Sequence, residues 1–386
     1  MIGNLIHGLL LNDYLMIISI FLLLILNINV IINTTIGPFL RKAKKSQEFP
    51  FVSVLIPARN EENNIRKVIK SLMKQNYPNF EIIVLNDNST DNTLKITMDI
   101  VNSNQLINIK VIDGKTLPTG WLGKNWACFQ LFENSQGEIL IFTDADNSYS
   151  EDAISKTVGM MQEYNLDLFS AFPQQITTSF WEKLIIPVID LIIYSGLILK
   201  TTLTIPLSIF SAANGQWIAV NRGSYSRIGT HKAVKDNIVE DVALSRLFKK
   251  SNFRTLTGAG TGIVYGKMYN NGREIWNGLS KNLFGLTNFK TIPFFFFLII
   301  AFLSAVLPFV LLVIGYFSSF IMIAISLNFL WRFMLSISFK HNLIISIFLH
   351  PVSIVVIIII GINSYFRSKY GTLKWKDREI KIEKKF

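Results

Sequence analysis

The chain has 386 residues, half of them hydrophobic, with a formal net charge of +12 and a mean hydropathy of +0.38. That is too apolar for an ordinary soluble protein and, with a charged middle, too polar for a bundle of membrane helices alone; the length allows one sizeable domain plus membrane segments. The basic excess flanks hydrophobic segments, which points to an anionic membrane leaflet and away from nucleic acid; one cysteine, Cys128, excludes an intrachain disulfide, and four scattered histidines exclude the usual zinc spacing.

Leu15 to Ile32 is apolar except for Ser19, Asn27 and Asn29, long enough to span hydrocarbon. No Lys or Arg precedes it, so the basic region of a signal peptide is missing. Arg41, Lys42, Lys44 and Lys45 follow, which places the N-terminus outside and the next segment in the cytoplasm. A buried core helix is the plainer alternative. From Phe51 to about Tyr265, apolar runs of strand length alternate with amphipathic helices. They are Val52–Ile56, then Asn63–Gln75; Glu81–Leu85, then Asp91–Asn102; Ile109–Ile112; Ile139–Phe142, then Glu151–Glu163; and Leu166–Phe172. Such alternation predicts an α/β domain with a mostly parallel sheet and helices on both faces.

Phe180 to Leu207 is greasy but carries Glu182, Lys183, Asp190 and Lys200, and is broken by Pro187 and Pro206. It reads as helices lying in the membrane interface, with a true crossing as the alternative. Pro293–Phe317, Phe320–Phe339 and Leu343–Phe366 are each long enough to span. Three crossings from a cytoplasmic domain would put the tail outside, yet Arg367, Lys369, Lys374, Lys376 and Arg378 favour the inside. The middle segment holds Trp331 and Arg332, so it is expected to be interfacial or re-entrant, and the number of crossings stays open. The resulting layout is an anchor at 1–40, a cytoplasmic domain at 41–290 with interfacial helices at 179–210, membrane segments at 291–368 and a basic tail at 369–386.

Five stretches carry chemistry. Ile139–Phe142 runs into Asp144 and Asp146, two carboxylates that on an extended backbone aim the same way. A hard divalent cation bound by one or two carboxylates plus substrate phosphates relieves their repulsion. The plain alternative is capping of the helix near Glu151. Pro57-Ala-Arg-Asn-Glu-Glu62 follows the first strand, where backbone N–H groups at a helix start suit a nucleotide. Asn86-Asp-Asn-Ser-Thr-Asp-Asn-Thr93 follows the second; Asp87 suits a base or ribose, while Ser89, Thr90 or Asp91 suits an N-cap. In Leu117-Pro-Thr-Gly-Trp-Leu-Gly-Lys-Asn-Trp-Ala127, Lys124 precedes a helix as a diphosphate contact, and Trp121 and Trp126 could wall a sugar or lipid pocket. Glu240 and Asp241, in Asn237-Ile-Val-Glu-Asp-Val-Ala-Leu244, begin a helix, where acids also match the helix dipole. No GxGxxG or GxxxxGKS is present, which argues against a dinucleotide fold or a P-loop.

As an ordered set over roughly residues 51–286, these stretches resemble glycosyltransferase family 2 on the GT-A fold. Further segments extend the resemblance through most of the chain: Gly215-Gln216…Arg222, Trp276-x-Gly278-x-x-Lys281-Asn282, and Leu373-Lys-Trp-Lys-Asp-Arg378. They are similar to the branch of glycosyltransferases acting on 4,4'-diaponeurosporenoate and of hopene-associated glycosyltransferases. The resemblance implies a Rossmann-like catalytic domain with terminal transmembrane helices, multi-pass in the cell membrane and cytoplasmic in its chemistry. It implies a UDP-sugar donor, a lipid acceptor and Mg²⁺ or Mn²⁺. Pro57, Ala58, Arg59, Glu61, Asp87, Lys124, Asp144 and Lys281 would contact the nucleotide-sugar, and Asp146 with Asp144 would hold the metal. Asp241 would be the general base with Glu240 beside it; Trp121, Trp126, Gln216 and Trp276 would face the acceptor. Asn86 stands where the family often has an acid. The Q-x-x-R-W motif of processive synthases is absent; the helix with Glu274, Trp276 and Lys281 takes its place. A polyprenyl-phosphate sugar synthase, another glycolipid synthase, and a sensor that binds nucleotide-sugar without turnover are the other readings.

Overall fold

The structure is a computed structural model describing residues 2–104, 107–287, 289–370, 373–375 and 378–380. Lys376 and Asp377 of the tail motif, and the chain after Ile380, lie outside the described residues. Two compact units emerge. One comprises Gly37–Ile176 and Leu199–Met268; the other holds the chain up to Ile36, Thr177–Ile198, and the chain from Tyr269 onward.

The first unit is built on ten strands: β1 (Val52–Ala58), β2 (Phe80–Asn86), β3 (Asn108–Asp113), β4 (Ile139–Phe142), β5 (Asn147–Tyr149), β6 (Leu168–Phe172), β7 (Gln174–Gln175), β8 (Ile218–Asn221), β9 (Thr255–Ala259) and β10 (Val264–Gly266). Seven form one sheet in the order β3-β2-β1-β4-β8-β6-β9, parallel except for β8, which runs against both neighbours. The others form a small sheet, β5-β10-β7. Alternation along β1 explains the two-sided core. Val52, Val54 and Ile56 join Ile65, Val68, Ile69 and Leu72 of helix Ile65–Leu72 and Ile154 and Val158 of helix Ala153–Tyr164. Leu55 turns the other way, with Leu140 and Phe142, onto Ala127, Cys128 and Leu131 of helix Gly123–Glu133 and Leu244 and Phe248 of helix Glu240–Lys250.

The predicted strand–helix alternation is present, with shifted ends. The expected helix Asn63–Gln75 is regular only over Ile65–Leu72, because the polar residues before it form a turn. β8 and β9 had no counterpart in the sequence reading. Each is only four or five residues long, and apolar runs that short are ambiguous without their partners.

The second unit is helical. Leu11–Thr35, Ser319–Phe339 and His350–Tyr370 are long and apolar enough to cross a membrane; a fourth candidate arises if Gly272–Thr287 and Thr291–Ala305 count as one broken span. The expected segment Pro293–Phe317 is divided at Val306 into helices Thr291–Ala305 and Leu307–Val313, with Pro308 at the start of the second. Fifteen residues rise about 22 Å, short of a hydrocarbon core of about 30 Å. The segment expected to be re-entrant is a continuous 21-residue helix. Its polar side chains are spent inside the unit. Trp331 Nε1 donates to Ser195 Oγ at 2.7 Å and Arg332 Nε to the Ser346 carbonyl at 2.9 Å.

Between Phe180 and Leu207 no helix exceeds ten residues. Ser179 and Glu182 form a capping box at the start of helix Phe180–Ile185. Helix Pro187–Gly196 packs on the long helices of its unit: Tyr194 stacks on Phe339 at 3.8 Å, and Asn33 Nδ2 donates to the Tyr194 and Leu197 carbonyls. Asp190 Oδ2 is paired with His341 Nε2 at 2.8 Å.

Candidate active site

The loops after β1 and β2 form one ledge. Asn60 and Asn88 both take the left-handed conformation, φ 53° and 52°, which asparagine tolerates. Asn60 N donates to Ser89 Oγ, Thr90 N to Asn60 Oδ1, Glu61 N to Thr93 Oγ1 and Glu62 N to Asp91 Oδ2, all between 2.7 and 3.1 Å. Asp87 N donates to the Ala58 carbonyl, and Arg59 Nη1 to the Asp87 carbonyl, each at 2.8 Å. Pro57, Ala58, Arg59, Glu61 and Asp87 are thereby held on adjacent strand ends of a parallel sheet, where open α/β folds bind ligands. Gly114 supports the ledge: a Cβ there would lie 3.0 Å from the Asn86 carbonyl and 3.3 Å from Asp87 Cα.

β4 ends at Phe142, and the chain turns through Thr143 to Asp146. The two acids therefore sit in a turn, not on the extended backbone expected. Neither caps the following helix, whose N-cap residue is Asp152. Asp144 Oδ1 lies 2.7 Å from Lys124 Nζ, which reaches Glu240 Oε1 at 3.0 Å on its other side. Asp146 is different: its Oδ1 is buried with no hydrogen-bond partner. Burial, then the Asp144 and Glu61 carboxylates, pushes the Asp146 carboxyl up to about 7, against a smaller opposing pull from Lys124. A buried carboxylate oxygen with no donor, beside two further acids, is the environment a hard cation satisfies. Among the described residues no group of three His, Cys, Asp or Glu forms a complete metal cage. The donor set thus fits an ion completed by ligand oxygens.

The turn is braced from behind. Thr143 Oγ1 donates to the Gln216 carbonyl, which also receives Asn147 Nδ2; Gln216 Nε2 donates to Asn147 Oδ1, and Gln175 Nε2 to Gln216 Oε1. Gln216, expected on the acceptor side, is thus buried and has both ends of its amide engaged within the protein.

Lys124 is placed by its neighbour. Asn125 Nδ2 donates to the carbonyls of Val234, Lys235 and Asn237, and Leu122 N to that of Lys235. These bonds tie the start of helix Gly123–Glu133 to the loop that leads into Glu240. Burial alone would lower the Lys124 pKa; Asp144 and Glu240 outweigh it and hold the ammonium charged. His231, buried and facing that charge, falls to about 3 and stays neutral. Trp121 and Trp126 pack edge to face at 5.1 Å, both against Phe129, so they form one aromatic block rather than two walls.

Asp241 receives Gly215 N at 2.9 Å on Oδ2 and Val242 N at 2.8 Å on Oδ1. Burial first, then Glu240, pushes its carboxyl up to about 7, with Lys124 opposing. A Cβ at Gly215 would lie 2.9 Å from Lys124 Nζ, so the lysine head would have to shift to admit a side chain there. Gly215, Asn125 and Gly114 are site residues the sequence reading did not assign. Short loops with a glycine beside a strand were the only signal for two of them. Trp276 and Lys281 belong to the helical unit, on helix Gly272–Asn282, where the Tyr269 ring fills the space a Cβ at Gly278 would need.

Residues 53–206 match the family model for glycosyl transferase family 2. That stretch is a glycosyl transferase family 2 domain. This glycosyltransferase is 28% identical over 376 residues to the 4,4'-diaponeurosporenoate glycosyltransferase of Staphylococcus haemolyticus (strain JCSC1435), across 89% of this chain and 92% of the relative. It is 26% identical over 251 residues to the Staphylococcus aureus (strain USA300) protein of the same name, across 60% of each. A solved structure, the mannosyltransferase PcManGT from Pyrobaculum calidifontis in complex with GDP-Man and Mn2+, superposes with a TM-score of 0.52 at 15% identity, over 92% of this chain and 99% of that one. That likeness carries the fold, GT-A.

Proposed function

We propose that this glycosyltransferase moves a hexose, glucose first among candidates, from a UDP-sugar to a lipid acid or alcohol of carotenoid or related terpenoid type. The observation that carries the reading is the meeting of Asp144, Lys124 and Glu240 beside Asp241, with one carboxylate oxygen of Asp146 buried and unpartnered. The acceptor class is supported by the printed names of the two staphylococcal relatives.

Pro57, Ala58, Arg59, Glu61 and Asp87 hold the nucleotide, and Lys124 exchanges a carboxylate for the diphosphate. Asp146, with Asp144, holds Mg²⁺ or Mn²⁺. When bound, the cation offsets charge on the diphosphate leaving group. The acceptor oxygen attacks the anomeric carbon as the bond to the diphosphate breaks, so the product is inverted and UDP leaves with the electron pair. From a hydroxyl acceptor the proton passes to Asp241, whose carboxyl near 7 suits a base at neutral pH. Trp121 and Trp126 offer apolar surface to the acceptor, and Gln216 braces the acidic turn.

The enzyme is multi-pass in the cell membrane with its catalytic domain cytoplasmic. A topology with three crossings, at Leu11–Thr35, Ser319–Phe339 and His350–Tyr370, is supported by their length and composition. One crossing precedes the domain and two follow it, so the basic stretches after Gly37 and at the tail both face inward. UDP release from UDP-glucose by the purified full chain, with mass spectrometry of the lipid product, tests the reading. Acceptor-dependent release with a glycosylated carotenoid acid or terpenol supports it. Release that ignores these acceptors but follows polyprenyl phosphate would transfer the activity to a polyprenyl-phosphate sugar synthase.

A further inference from the structure

We infer that the catalytic unit carries a separate anion-binding groove that takes the phosphate-bearing headgroups of acidic phospholipids, given that the chain is held at a membrane as proposed above. Helix Ile65–Leu72 spends Ile65, Val68, Ile69 and Leu72 on the core. Its outer face presents Arg66, Lys67 and Lys70, with Lys74 just beyond, all exposed. These four cations line a surface groove of about 570 Å³ together with Ser148 and Tyr149.

Among the described residues, none of the four has a carboxylate within salt-bridge distance, whereas Lys45, Lys110 and Lys124 of the same unit each do. Arg66 with Lys70, and Lys70 with Lys74, are like charges four apart, a spacing that weakens a helix unless an anion lies across it. Flexible lysine ammoniums suit several phosphodiesters at a surface better than one tightly forked site. The groove is also many times larger than a lone phosphate. Lipid headgroups therefore fit it better than a free ion.

The groove touches the reaction through its floor. Tyr149 ends β5, the strand that begins one residue after Asp146. Its hydroxyl bonds to Thr143, and its ring packs on Trp217 at 4.7 Å between centroids. A headgroup seated against Tyr149 thus bears on both ends of the acidic turn, and acidic lipid steadies the metal-side carboxylates.

The test is calorimetric titration of the detergent-purified full chain with dioctanoyl phosphatidylglycerol, dioctanoyl phosphatidylcholine and sodium phosphate, without donor sugar. Each basic residue near an anionic surface is worth about fivefold in affinity. The double variant Lys70→Gln/Lys74→Gln should therefore bind the glycerol lipid about twenty-fivefold more weakly than wild type. Wild type should prefer that lipid over the choline lipid by at least about tenfold and lose affinity as salt rises. Equal binding of the two lipids, or unchanged binding by the double variant, overturns the proposal. So does inorganic phosphate binding as tightly as the acidic lipid, which would make the groove a free-phosphate site. Both substitutions are on the surface, and the readout needs no glycosyl transfer, so failure here is distinct from failure of the proposed reaction.

Discussion

Replacing Asp241 by Asn separates the base from the scaffold. Its two oxygens accept one backbone N–H each, from Gly215 at 2.9 Å and Val242 at 2.8 Å. Asparagine keeps the shape but turns an NH₂ toward one of those donors, which costs about 1 kcal/mol and leaves the fold intact. A hydroxyl acceptor must lose its proton as it attacks, so the variant should lose about 10²–10⁴-fold in rate on a terpenol. A carboxylic acid acceptor, with a solution pKa near the glutamate value of about 4.3, is already ionised at neutral pH. On that acceptor the loss should stay below about tenfold. The wild-type pH profile follows from the same geometry. With the Asp241 carboxyl at about 7, the ionised base rises from about one-tenth at pH 6 to about nine-tenths at pH 8. The rate on the alcohol should therefore climb about tenfold and level off, while Asp241→Asn shows no such climb. A membrane raises the acceptor acid's own pKa, so the series runs to pH 9. The assay is UDP release with matched acid and alcohol acceptors. Equal, small losses on both would refute Asp241 as the base and move the search to Glu240.

Four further outcomes are expected. Mn²⁺ should raise the melting temperature of wild type, and Asp146→Asn should abolish that rise and most turnover while the protein stays folded; full activity in excess EDTA would sink the metal assignment. Asp146 and Asp241 hold protons in the folded state up to about 7 but in the unfolded chain only to about 4, so metal-free stability should fall as pH rises through that window. Calorimetric melting should show a higher Tm at pH 6 than at pH 8, with the difference reduced in both Asn variants. Gly215→Ala should cost on the order of tenfold or more in rate with little loss of Tm, because its Cβ displaces Lys124 Nζ rather than the core; unchanged kinetics would show the lysine is free to move. Reporters fused after Lys45 and at Phe386 should both read as cytoplasmic, and an external tail would mean an even number of crossings.

Much of this enzyme is present in the order of its residues. Period-two and helical patterning placed the strand–helix alternation of β1 to β4, because burial against a sheet is a local, repeating demand. The chemistry-bearing stretches were legible because they interrupt that pattern at strand ends, where polar residues have no core to serve. What the sequence could not decide is who meets whom. Lys124 bridges Asp144 and Glu240, residues 20 and 116 positions away, and only the closed sheet sets those distances. Gly215 is ordinary in sequence and becomes necessary when a lysine and two acids converge on its missing side chain. Likewise Arg332 reads as a reason to keep its segment out of a membrane until Ser346 and its neighbours enclose it. Composition determines what each stretch can bury or must solvate; long-range packing determines which charges are paired, and therefore which one, Asp146, is left for a ligand.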